Sequence, residues 1–170
     1  MFNFLRNKKI QSSIKKNERQ HTFLSIANMR NILILFDYKD LNDMIQITKD
    51  LDSMGKRVFL WTYDPDKNAI PTKRQSLSLQ TITPKDVSSI GSISKELVAV
   101  FESQLYDTII DLTTEDHYAL KYLLSNNTAK FSIGTTESEH KLYDFILRRK
   151  DGMSTPEVFQ QIKFYLTNIR

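Results

Sequence analysis

The stretch from Tyr106 to Gly134, YDTIIDLTTEDHYALKYLLSNNTAKFSIG, leaves this chain few folds to choose from. It opens on an apolar run, Thr108 to Leu112, and passes through a polar cluster suited to cap a helix, Thr113 to Asp116. Tyr118, Leu120, Leu123 and Leu124 then recur at helical spacing, Ser125 to Thr128 break the pattern, and Ala129 to Ile133 form a second apolar run closed by Gly134. The order is strand, helix, strand. Two strands joined by a helix of this length lie parallel, with a right-handed crossover, so the stretch predicts an α/β sheet with helices on its faces.

The rest of the body repeats that grammar. Asn31 to Phe36 is a β-branched and apolar run of the kind buried on both faces of a sheet. Leu41, Met44, Ile45, Ile47, Leu51 and Met54 follow at helical spacing, with Asp40 as the expected cap and Gly55 as the stop, and Arg57 to Tyr63 reads as the next strand. Asp66 to Ser76 is a polar loop, and Leu77 to Ile82 is a short strand at a sheet edge. Ser94 caps a helix carrying Leu97, Val98, Phe101 and Leu105, which leads into the central unit. After it come a strand over Tyr143 to Leu147 and a closing helix. Ser154 or Thr155 caps that helix, and Val158, Ile162, Tyr165, Leu166 and Ile169 form its buried stripe. The expectation is a single Rossmann-like three-layer α/β/α domain over residues 31–170, with a mostly parallel sheet of about five or six strands.

Charge divides the chain differently. Residues 1–30 hold seven Lys/Arg against Glu18 alone, whereas the remainder holds seventeen basic and nineteen acidic residues, so the net +4 belongs to a basic N-terminal arm. That arm, residues 1–30, is expected to be helical or partly disordered. Met1, Phe2, Leu5 and Ile10 make a short apolar stripe among its cations, so membrane-surface or nucleic-acid contact through residues 1–20 is a weaker functional alternative. The longest apolar run, Ile32 to Phe36, is far short of the roughly 20 residues that span a bilayer, so no transmembrane segment is expected. With no cysteine there is no disulfide or thiolate site, which fits a reducing cytoplasm.

Open parallel sheets bind ligands at the carboxyl ends of their strands. Here those ends are Asp37 to Leu41 and Thr113 to His117, both acidic and both without glycine. The glycine-rich turns that let a backbone approach a pyrophosphate are absent, so nucleotide cofactors of the usual kinds are not expected, and no cofactor or metal is assigned. Candidate ligand-binding residues are Asp37, Asp40, Thr113, Thr114 and His117. The bland alternative makes Asp40, Glu115 and Asp116 helix caps and leaves His117 exposed in a first turn. Asp111 stands out because a carboxylate inside an apolar strand is costly unless it is hydrogen-bonded. It and Asp43 are the weak catalytic candidates. No Ser lies in a nucleophile elbow.

YDTIIDL, a helix with A-L-x-x-L-L, and AKFSIGT together resemble the N-terminal lobe of heptosyltransferase-type glycosyltransferases of the GT-B fold. NILILFDYKDLNDMIQITKDL is similar to the strand, loop and helix in which that family carries Gly-Asp and a catalytic base; the resemblance implies Asp43 in the base position, with Asn42 in place of the glycine. The whole chain, arm included, resembles a family of small uncharacterised bacterial proteins with a Rossmann-like domain. The expected function is therefore a non-catalytic module, one GT-B-like lobe that binds a small molecule or a protein partner. The alternative is a sugar- or polyol-directed transferase that borrows a donor lobe from another subunit.

Overall fold

A computed structural model describes residues 1–66 and 77–169. Six parallel strands form one sheet in the order β3-β2-β1-β4-β5-β6: β1 (Asn31–Asp37), β2 (Arg57–Tyr63), β3 (Leu79–Ile82), β4 (Thr108–Asp111), β5 (Phe131–Gly134) and β6 (Phe145–Ile146). Helices α2 (Leu41–Ser53) and α5 (Thr155–Asn168) cover one face, and α3 (Lys95–Ser103) and α4 (Tyr118–Ser125) cover the other. The arrangement is Rossmann-like. Its central strand explains the apolar run in the sequence: Ile32, Ile34 and Phe36 enter the core under α2 and α5, while Leu33 and Leu35 enter the core under α3 and α4.

Both βαβ readings hold, because each helix buries most of the face that its spacing marked out; Met54 is the exception, 38% exposed just past the end of α2. Leu41, Met44, Ile47 and Leu51 bury α2, and Gly55 stops it with φ 72, a left-handed backbone open to glycine without penalty. Leu120, Leu123 and Leu124 bury α4. β3 takes the sheet edge beside β2, as expected, and pairs with it in parallel. The loop read from Asp66 to Ser76 falls almost wholly outside the described residues.

Several boundaries differ from expectation. Leu105 is 82% exposed because α3 ends at Ser103, and Tyr106 is the residue that turns inward. The last strand is only Phe145–Ile146; Tyr143 leaves the edge to reach Asp111. In α5, Ser154 makes a capping box with Glu157, but Phe159 is buried while Tyr165 and Ile169 stay exposed.

The N-terminal residues are tied to the body. Helix α1 (Phe2–Lys16) packs on α4 through Ile10. Beyond it Asn17 donates to the Ser125 and Asn127 carbonyls, and Thr22 N–H donates to the Lys130 carbonyl at 2.8 Å. The Arg19 guanidinium, 7% exposed, forks onto both Asp144 oxygens at 2.9 Å and also reaches the Ala129 carbonyl and Ser132 Oγ. Among the described residues no helix is long and apolar enough to cross a membrane.

Candidate functional site: the crevice at the end of the first strand

Strand order reverses between β1 and β4, and their carboxyl ends flank the crevice where open α/β sheets take ligands. β1 ends on Asp37, whose side chain is buried at 2% exposure. Its carboxylate accepts from Thr114 N–H at 2.8 Å, from Thr114 Oγ1 at 2.5 Å and from Glu115 N–H at 3.3 Å, and His117 Nε2 lies 3.4 Å away. Burial pushes this carboxyl up, yet the contacts from His117, Thr114 and Glu115 outweigh it and hold the value at about 2. Asp37 thus clips the β4–α4 loop onto the end of β1.

Asp111 ends the neighbouring strand, where Leu35 is its partner in register. It accepts from Thr113 N–H at 2.9 Å, Thr113 Oγ1 at 2.6 Å and Tyr143 Oη at 2.5 Å. Here burial wins: it pushes the carboxyl above its ordinary value against the Thr113 and Tyr143 bonds, and the nearby Asp37 charge adds to the push. The Tyr143 phenol is likewise pushed up, by burial first and then by Asp111. Tyr143 lies across Gly134 of β5, where a Cβ would meet its ring at 2.5 Å.

The crevice itself is a cavity of about 430 Å³ lined by Asp37, Tyr38, Lys39, Tyr63, Asp64, Pro65, Asp66, Glu115 and His117. The Tyr63 and His117 rings lie 5.1 Å apart at 39°. Lys39 Nζ donates to Glu115 Oε1 at 3.0 Å and to Thr114 Oγ1 at 3.3 Å, and it lies 3.9 Å from Asp37. The Glu115 contact raises the Lys39 ammonium above its ordinary value. Asp37, Glu115 and His117 also offer ligand atoms within 4.8 Å of one another, the spacing of a cation site. Lys39 supplies positive charge to that group from within the protein.

Of the residues singled out in the sequence, Asp37 and His117 line this crevice. Thr114 holds Asp37, and Thr113 faces the other way, onto Asp111. Asp40 occupies the cap position of α2 without capping it; its carboxylate instead accepts from Thr155 Oγ1 at 2.8 Å, at the start of α5. Asp43 sits half-buried in the first turn of α2, and neither it nor Asp111 is among the lining residues. The expected capping of α4 by Thr113 to Asp116 is corrected: α4 starts at Tyr118 after His117, Glu115 pairs with Lys39, and Asp116 pairs with Lys121 at 2.8 Å. His117 is 10% exposed rather than open to solvent, because its ring rests against Tyr63. Away from the crevice, His21 Nδ1 lies 2.6 Å from Asp144 Oδ1.

Sequence patterning does not single out Tyr38, Lys39, Tyr63, Asp64 or Asp66, which also line the crevice. Tyr63 and Asp64 follow from the same strand-end rule once β2 is placed beside β1, because the end of β2 borders the same crevice.

No curated protein and no solved structure matches the chain. A model described as a family of unknown function (DUF6913) matches residues 3–169, which takes in α1, the sheet and α5, and the chain belongs to that family.

Proposed function

We propose that the chain is a non-catalytic binding module that takes a small hydroxyl-rich molecule, of the sugar or polyol class, in the crevice at the end of β1. The observation that carries this reading is the make-up of the crevice wall. Asp64, Asp66 and Glu115 supply carboxylate oxygens, which accept hydrogen bonds from hydroxyl groups, while Tyr38, Tyr63 and His117 supply ring surface; Asp37 adds negative charge at the base, its own oxygens taken up by the β4–α4 loop. A volume of about 430 Å³ suits a small molecule. Among the described residues of this wall, four carboxylates stand against Lys39, already engaged with Glu115, a charge balance that favours a neutral hydroxyl-rich molecule over a phosphate. No glycine lies in the loop after β1 or in the loop after β4 to let a backbone cradle one. The position of Asp43 and Asp111 off the crevice wall favours binding over group transfer.

The test is thermal melting of the full chain in the presence of glucose, myo-inositol, ADP or magnesium chloride, for the unaltered protein and for Asp64→Asn. The expected result is a concentration-dependent rise in Tm with a polyol, none with ADP, and loss of the rise in Asp64→Asn. A rise with ADP alone, a rise that Asp64→Asn leaves intact, or no rise with either polyol would overturn the reading.

A further inference from the structure

Helix α1 uses little of its surface to hold the body. Ile10 is its one buried residue, with Ile14 partly buried against the core under α4. Phe4 and Leu5 each lie three or four residues before Lys8, and Ser12 and Lys15 continue that spacing, so the five share the opposite face. On that face Phe4 is 62% exposed and Leu5 41%, with Phe2 beside them at 57%. Three large apolar side chains at one end of a helix, turned away from the core, have no folding role in the described structure.

The cations on α1 are distributed to match. The helix carries Arg6, Lys8, Lys9, Lys15 and Lys16 and no acidic residue. Arg6 stacks on the Tyr118 ring at 5.0 Å, and Lys9 donates to the Ile90 carbonyl at 3.1 Å, so these two serve docking to the body. Among the described residues Lys8 reaches only the face of Phe4, at 5.1 Å, and Lys15 and Lys16 form no ion pair. A groove of about 720 Å³ runs along this face, lined by Leu5, Lys8, Lys15, Lys16 and the exposed Ile90 among others.

We propose that α1 docks the protein on an anionic bilayer surface, with Phe2, Phe4, Leu5 and Ile90 entering the headgroup region and Lys8, Lys15 and Lys16 meeting lipid phosphates and carboxylates. Both halves of the patch find a partner in such a surface: cations are drawn by its negative potential, and apolar side chains bury at the acyl boundary. A nucleic-acid backbone would satisfy the cations alone and leave the apolar end in water. The body, with seventeen basic and nineteen acidic residues from position 31 onward, adds no net attraction of its own, so the electrostatic part of docking falls to α1. This proposal is independent of the ligand assigned to the strand-end crevice, since the two sites share no lining residue.

Sedimentation of the full chain with phosphatidylcholine vesicles, and with vesicles that also contain phosphatidylserine, tests it. Binding is expected only to the mixed vesicles, and to weaken as salt is raised. Phe4→Ser with Leu5→Ser, and separately Lys8→Glu with Lys15→Glu, should each lower the partition coefficient about tenfold or more. All four side chains face away from the core, and circular dichroism at matched temperature checks that both variants remain folded. Equal pelleting with both vesicle types, binding unchanged in either variant, or no pelleting while the protein retards duplex DNA or RNA in a gel would each overturn the proposal.

Discussion

Asp37 and Asp111 end neighbouring strands of one sheet and are shifted in opposite directions. The difference lies in their donors. Asp37 has two backbone N–H groups, a hydroxyl and an imidazole around it, whereas the three bonds to Asp111 do not outweigh its desolvation. The folded-state value of about 2 for Asp37 lies below the ordinary 3.8, so its stabilising contribution is present above about pH 4 and fades as the pH falls towards 2. A raised value gives Asp111 the opposite sign: its burial costs stability at neutral pH and is relieved on acidification. Asp37→Asn is therefore expected to destabilise the fold by roughly 2 kcal/mol at pH 7. In urea titrations at several pH values the gap between variant and unaltered protein should close below about pH 4; a gap independent of pH would show that the charge is not what the loop is clipped to. Asp111 was conspicuous in the sequence as a carboxylate inside an apolar run, but its partner Tyr143 was not, because 32 residues and a parallel strand separate them.

At the scale of elements, what the sequence discloses is periodic burial, and what it hides is termination set by distant neighbours. Helices α2 and α4 and strands β1, β2 and β4 each follow from spacing or from a continuous apolar run. The edge strand β6 does not: Tyr143 has the composition of a strand residue, but its hydroxyl finds a buried carboxylate and the ladder shortens to two residues. Gly134 shows the same constraint from the other side, since only a residue without Cβ lets β5 pass under that ring. Gly134→Ala should cost on the order of 1–3 kcal/mol in chemical denaturation, and pairing it with Tyr143→Leu should recover part of the loss. If the two losses simply add, the close approach is not what requires glycine. The connection from α1 to the sheet rests on Arg19, nearly buried against Asp144 and two further acceptors. Arg19→Ala leaves that carboxylate without its fork and is expected to cost about 3 kcal/mol, with new proteolytic cleavage between residues 17 and 25. Resistance to cleavage equal to that of the unaltered protein would assign the anchoring to the Asn17 and Thr22 contacts instead.

Across the whole molecule, charge and topology place two distinct surfaces. The strand order 3-2-1-4-5-6 puts the reversal point between Asp37 and Asp111, and the surrounding wall is acidic; α1 carries five cations and no acidic residue. The sequence disclosed the acidic strand ends and the basic arm, because both are local runs. It did not disclose that Lys39 folds back onto Glu115, or that Tyr63 and His117 meet, since each depends on which strand lies beside which. On the reading proposed above, the acidic crevice takes a small polyol. Titrating myo-inositol and glucose into the isotope-labelled full chain while following its backbone amide resonances tests it most directly. Saturable shifts are expected, confined to Tyr38, Lys39, Tyr63, Asp64, Asp66 and Thr114 to His117. Shifts confined to other parts of the molecule, or none with either polyol, would contradict it.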